Sequence, residues 1–194
     1  MIETEIRKHC EQKFATHKAT LLQDTDRYCI IDWRREDGSG EYYVNYIVDK
    51  KRGSLIVSSD LGDSIATWYN PVTAHKLASY VNDIGYYISK MQCTSDKFHY
   101  ELDDIVSDIR NLFSHDELDL SGYYSEDEFW DEIEDEAMMS CHDDNFYPTE
   151  RLYDMISEQY PDYCENLHCC GRRIAPRVYL WAVGFQMACK QLGL

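Results

Sequence analysis

Apolar residues recur at every fourth position at the start of the chain, Ile2, Ile6, Cys10 and Phe14, and this spacing predicts a helix over residues 2–18. The period then shortens to two. Residues 28–33 are a β-rich run, residues 34–40 supply turn formers, and in 41–49 the side chains of Tyr42, Val44, Tyr46 and Val48 alternate onto one face, as a half-buried strand requires. A turn at 49–53, a strand at 55–57, a break at 60–62 and a fourth strand at 65–69 complete the pattern of an antiparallel meander. Asn70-Pro71 ends the sheet, and Thr73 is placed to cap a helix running to residue 91, with Leu77, Tyr80, Val81, Ile84 and Ile88 at helical spacing.

Beyond residue 95 the pattern is helical. Ile105, Ile109 and Leu112 mark a helix over 102–113, and further helices are expected at 125–139, 150–159 and 176–192. In the last, Val178, Trp181, Phe185, Ala188 and Leu192 form a stripe that Leu180, Val183 and Met187 widen, the mark of a buried core helix. The expected fold class is therefore α+β. An N-terminal helix leads into a three- to four-stranded antiparallel meander covered by a helix, followed by an acidic helical part and a buried C-terminal helix. The expected division is an α-β-α unit over 1–95 and a helical part over 96–194 that docks on it through the C-terminal helix.

Composition narrows the class. With 194 residues, 44% hydrophobic, and sixteen Tyr, six Phe and four Trp against four Pro and nine Gly, the chain has the material for a sizeable core and too little for long linkers. No apolar run is long enough to span a membrane, and the opening residues lack a signal-peptide pattern, so the expectation is a cytoplasmic protein. Eight Cys in a chain without an export signal read as reduced thiols.

Charge changes the picture more. The net charge of −17 is not spread evenly: residues 1–95 carry 13 acids and 12 bases, residues 96–170 carry 23 acids against Lys97, Arg110 and Arg151, and residues 171–194 carry four bases and no acid. Such an imbalance opposes compaction through self-repulsion, and solubility needs far less of it. Its densest part is the helix opened by Ser125, whose pairing with Glu128 forms a capping box. Phe129, Trp130, Ile133 and Ala137 give that helix an apolar stripe, leaving Glu126, Asp127, Glu128, Asp131, Glu132, Glu134, Asp135 and Glu136 to the wide opposite face. Eight acids in 11 residues is about one charge per 2 Å of helix axis, against about one per 1.7 Å for duplex DNA. A groove of Lys and Arg built for phosphates would meet a comparable line of carboxylates, with Tyr123, Tyr124 and Trp130 beside it as aromatic contacts for Arg.

Other residues carry other candidate chemistries. Residues 117–128 resemble an EF-hand loop, with Glu117, Asp119, Ser121, Tyr123, Ser125 and Glu128 at the ligand positions and Gly122 at the turn, departing from it at Glu117, Tyr124 and Asp116. A turn at Ser121-Gly122 and a helix cap at Ser125 account for the same letters. Cys141, His142, Cys164, His168, Cys169 and Cys170 are soft ligands without a CxxC pair, so buried thiols are the expectation and no metal is assigned. Asp32, Asp60, Asp63 and Asp83 fall near strand ends, where metal-dependent nucleases place carboxylates, yet nothing in the spacing gathers them. No nucleophile elbow, phosphate loop, dinucleotide fingerprint or HExxH helix is present, so no catalytic residue and no cofactor is assigned.

The segments Asp32-Trp33-Arg34, Gly38 to Tyr46, Leu55 to Gly62, Trp68-Tyr69 and Asn82 to Tyr87 resemble small acidic proteins encoded by phages and prophages of Firmicutes, over about residues 25–100. Proteins of that kind include anti-CRISPR inhibitors, several of which occupy the DNA-entry surface of Cas9 through acidic residues. The resemblance implies a protein partner, a basic nucleic-acid-binding protein such as Cas9 or another CRISPR effector, in the cytoplasm of a bacterial host, with no direct contact to nucleic acid or membrane. It assigns no individual residue a role, because the acidic helix lies outside the resembling region.

Overall fold

The computed structural model describes residues 2–113, 118–142 and 145–194. It is an α+β protein, 44% helix and 26% strand. In chain order the elements are α1 (Thr4–Lys13), β1 (His17–Asp24), β2 (Tyr28–Arg35), β3 (Val44–Asp49), β4 (Ser54–Ser59), β5 (Gly62–Thr67), α2 (Ala74–Tyr80), α3 (Ile84–Lys90), β6 (Met91–Thr94), β7 (Phe98–Tyr100), α4 (Leu102–Leu112), α5 (Glu126–Met139), β8 (Cys141–His142), β9 (Asn145–Phe146), α6 (Glu150–Gln159), a 3-10 turn (Pro161–Tyr163), α7 (Cys164–Leu167), β10 (Arg172–Ile174) and α8 (Pro176–Leu192). The chain divides into two compact units, one of Met1–Lys97 with Ala175–Leu194 and one of Phe98–Ile174, so the second is an insertion in the chain of the first. The expected second part, 96–194, is thereby divided, and the C-terminal helix belongs to the first unit.

In the first unit β1 to β6 form one antiparallel sheet in sequence order, a meander of six strands where three to four were expected. Its alternation is strict on the inner face: Cys29, Ile31, Trp33, Val44, Tyr46, Val48, Leu55, Val57 and Ala66 are fully buried. Helix α8 packs on β1, β2 and β3 and is itself flanked by α1, α2 and α3. It begins with Pro176 at its first turn and ends at Gly193 in the left-handed conformation, φ 69°. The approach of α8 to the sheet requires Gly184, where a Cβ would stand 2.5 Å from the Tyr46 hydroxyl and 3.1 Å from the Phe14 ring. The buried Tyr46 hydroxyl in turn donates to the Trp181 carbonyl at 3.0 Å, so the contact is both packed and hydrogen-bonded. On the opposite face Ile30, Ile47, Ile56 and Ile65 stand directly across from one another on β2 to β5.

Three boundaries differ from expectation. The first helix stops at Lys13 rather than residue 18, because Phe14 leaves helical geometry and turns into the core, where its ring meets His17 and Trp33 edge-on. The strand expected from residue 41 begins at Val44, since Tyr42 takes a left-handed backbone, φ 54°. The helix expected over 73–91 is two helices. Thr73 caps α2 through the Lys76 amide, and Asp83 then caps α3 by accepting from the Tyr86 amide at 3.0 Å, a second start signal inside one continuous apolar pattern.

The second unit is built on one apolar cluster. Ile105, Ile109 and Phe113 from α4, Phe129, Trp130, Ile133 and Ala137 from α5, and Leu152, Met155 and Ile156 from α6 meet Phe146, Cys164, Leu167 and Cys170. The chain enters and leaves this unit through the antiparallel pair of β7 and β10. Among the described residues no helix is long and apolar enough to cross a membrane.

Candidate functional site

Helix α5 sorts its acids by angle. Ser125, extended at φ −156°, accepts from the Glu128 amide at 3.2 Å, and the Glu128 carboxylate reaches back to the Tyr124 amide at 2.6 Å, so both ends of the expected cap are in use. At about 100° per residue, Phe129, Trp130, Ile133 and Ala137 fall on the buried arc, and Glu128, Glu132 and Glu136 form a second row beside it. Every member of that second row is spent inside the protein. Glu132 takes Arg151 of α6 through Nε and Nη2 at 2.9 and 2.7 Å, and Glu136 accepts from the Thr149 hydroxyl that also caps α6. Glu126 accepts from the Trp130 indole at 3.1 Å.

Asp127, Asp131, Glu134 and Asp135 remain. They share an arc of roughly 100° on the outer side of the helix, all four are exposed, and none makes a hydrogen bond or ion pair with a described residue. Of the eight acids expected to carry binding, the structure therefore presents four as an uncompensated row and commits Glu126, Glu128, Glu132 and Glu136 to holding the fold. Four charges across residues 127–135 is about one per 4 Å of axis. That is half the density read from the eight acids together, and it matches the 3.4 Å phosphate spacing of a single DNA strand better than that of the duplex.

The row keeps its charge because the local cations are occupied. The second unit holds 22 acids and four Arg, a net charge of −18. Arg151 pairs with Glu132, Arg173 with Asp104 and Asp108, Arg110 lies 4.4 Å over the Trp130 ring and Arg172 4.9 Å over Phe98.

The aromatic contacts divide as the acids do. Tyr124 is 99% exposed and free to meet a partner, whereas Tyr123 is half-buried, edge-on to Phe129 at 5.2 Å. Trp130 is 6% exposed and already stacked by Arg110, so it belongs to the core and not to a surface. Sequence reasoning passed over Met138 and Met139, each 54% exposed, although Met138 continues the acid row one turn further. Their position outside the apolar stripe was the available signal.

The other candidates are not gathered. The first position of the calcium-type loop, Glu117, lies outside the described residues, as does Asp116. Of its other positions, Asp119 accepts from the Ser121 amide at 2.9 Å in a turn, while Ser125 and Glu128 form the helix cap. Among the described residues no group of three or more His, Cys, Asp and Glu is placed to hold a metal, and Cys141, His142, Cys164, His168, Cys169 and Cys170 form no such group. Burial pushes the Cys170 thiol up to about 12, away from the thiolate a metal needs. Asp32 faces Arg34, Asp60 accepts from the Tyr42 amide and Asp83 caps α3. Asp32 and Asp63 do share one row of the sheet, three strand spacings apart, about 14 Å, too far to share an ion.

No protein-family model, no curated protein and no solved structure matches the chain.

Proposed function

We propose that this protein is an acidic inhibitor of the phage type that occupies the basic nucleic-acid-binding surface of a partner, a CRISPR effector such as Cas9, and excludes DNA by charge mimicry in the cytoplasm of a bacterial host. The observation that carries the proposal is the row of Asp127, Asp131, Glu134 and Asp135, exposed and unpaired on a helix whose other acids are all engaged. A carboxylate row spaced like the phosphates of one strand offers a Lys- and Arg-lined channel the contacts it was built to make. Tyr124 and Met138 flank the row and supply the apolar and aromatic anchors from which interfaces draw most of their affinity. The phage-type resemblance of residues 25–100 points to the class of partner.

The test is competition. A labelled target duplex is titrated onto a purified Cas9–guide complex with and without the protein, which is expected to displace it and to do so less well as salt rises. Replacing Asp127, Asp131, Glu134 and Asp135 by Lys is expected to abolish displacement with the melting temperature preserved, while the same change at Glu3, which precedes α1, and at Glu5 and Glu11 within it leaves displacement intact. DNA uptake that continues at saturating protein would remove this reading for that effector, and displacement that survives the four-fold reversal would remove the acid row as its cause.

A further inference from the structure

The first unit contains a cavity of about 320 Å³ lined by Trp68, Asn70, Pro71, Val72, Lys76, Tyr80 and Tyr86. We infer that it is a binding site for a nucleobase carrying a phosphate, either a free mononucleotide or one residue of a single strand. This inference is independent of the acid row.

Its walls are aromatic and preformed. Trp68 stacks on Tyr80 at 6.0 Å and on Tyr87 at 6.3 Å, and Tyr86 stands edge-on to both Trp68 and Tyr80. Trp68 is only 7% exposed, held between Tyr80 and Tyr87. The volume lies at the small end of the range of about 300–1,000 Å³ for ligand sites, in keeping with a single base.

One lining residue is cationic, and further bases stand on the adjoining elements. Lys76 lines the cavity and lies 5.8 Å from the Tyr80 ring centre, and Lys90 stands 4.9 Å over Tyr86. The turn carrying Lys51 and Arg52 is fastened to the same wall: the Val72 amide donates to the Lys50 carbonyl at 2.9 Å and the Trp68 amide to the Gly53 carbonyl at 2.8 Å. Only glycine fits at position 53, with φ 69° and a would-be Cβ 1.9 Å from the Asn70 carbonyl oxygen, so turn and wall move as one piece. No carboxylate is among the lining residues. Tyr69, next to the lining residues Trp68 and Asn70, takes a left-handed backbone, φ 58°, and its ring is 68% exposed. Aromatic walls beside a lysine are the combination that recognises a base and its phosphate together.

The experiment is calorimetric titration of the intact protein at low salt with the four nucleoside monophosphates, the matching nucleosides and a tetranucleotide. Saturable binding of a monophosphate, with the nucleoside at least tenfold weaker, is expected. Tyr86→Ala and Lys76→Glu, both at exposed positions, are expected to weaken it about tenfold or more each, the scale of one lost base–aromatic contact, with Lys8→Glu as the unaffected control. A tetranucleotide that binds tighter than any monomer and is weakened by the same variants would identify a single strand as the source. No saturation by any of these ligands at millimolar concentration, equal binding of nucleoside and nucleotide, or indifference to both variants would each overturn the inference.

Discussion

At the scale of single residues, the second unit depends on a clamp that no local pattern announces. Arg173 of β10 donates through Nη1 to Asp108 Oδ2 at 2.8 Å and through Nη2 to Asp104 Oδ1 at 2.9 Å, across 65 and 69 residues of chain, and the Gly171 amide donates to the same Asp108 oxygen at 2.8 Å. The Arg173 hydrogen bond, with the Gly171 amide behind it, holds the Asp108 carboxyl below its usual value near 3.8. A depressed carboxylate contributes stability that is present above its unfolded value and lost as pH falls toward the folded one, so the clamp weakens below about pH 4. Asp108→Asn is expected to lower stability at pH 7 by about 1–2 kcal/mol, the range for charge-assisted hydrogen bonds discounted for a partly exposed pair. It should also flatten the fall in melting temperature between pH 5 and 3, and an unchanged acid limb in urea melts followed across that range would count against the clamp.

At the scale of elements, α5 displays its acid row at the expense of its own stability. Asp127, Asp131 and Asp135 repeat at four-residue spacing, where like charges repel by about 0.2–0.5 kcal/mol per pair, and Glu134, Asp135 and Glu136 approach the negative helix end with no base in the last turn to meet it. The double variant Asp131→Asn with Asp135→Asn is therefore expected to raise stability by about 1 kcal/mol at low ionic strength, to lose that gain in 0.5 M salt, and to weaken displacement of DNA from the effector. Stability that falls at low salt would mean these two carboxylates have internal partners. This sorting of acids was only half legible in the sequence. The cap at Ser125 and the buried stripe follow from i, i+3 and i, i+4 spacing, but the engagement of Glu132 and Glu136 depends on Arg151 and Thr149 from the next helix. The same limit runs through the fold. Strands β2 to β5 were readable because Cys29, Ile31 and Trp33, or Val44, Tyr46 and Val48, alternate with half-buried positions. Strand β1 was not anticipated, and only His17 and Lys18 fell within the expected first helix, because past Ala19 every position is exposed, leaving no period of two. The pairs formed by β7 with β10 and β8 with β9 are two or three residues long, too short for any period.

At the scale of the whole molecule, charge and chain topology divide along the same line. The inserted unit carries −18, and the remainder, with 14 acids and 15 bases, is near neutral. The insertion leaves the first unit at Lys97 and returns at Ala175, whose amide donates to the Lys97 carbonyl at 3.0 Å. The two ends are thus adjacent, and a short Gly-Ser bridge from Lys97 to Ala175 closes the first unit without displacing α8 from the sheet. Such a chain keeps all six strands of the meander with α1, α2, α3 and α8, and its core of Trp33, Tyr46, Leu55, Trp181 and Phe185 is intact. It is expected to unfold cooperatively in thermal melts followed by circular dichroism, to titrate with nucleoside monophosphate as the full chain does, and to fail to displace DNA from the effector at any concentration. Loss of both activities with a folded spectrum would place the nucleotide site outside the first unit. Displacement retained without residues 98–174 would take the inhibitory surface away from the acid row altogether, because a near-neutral body has no line of charge with which to compete against a phosphate backbone.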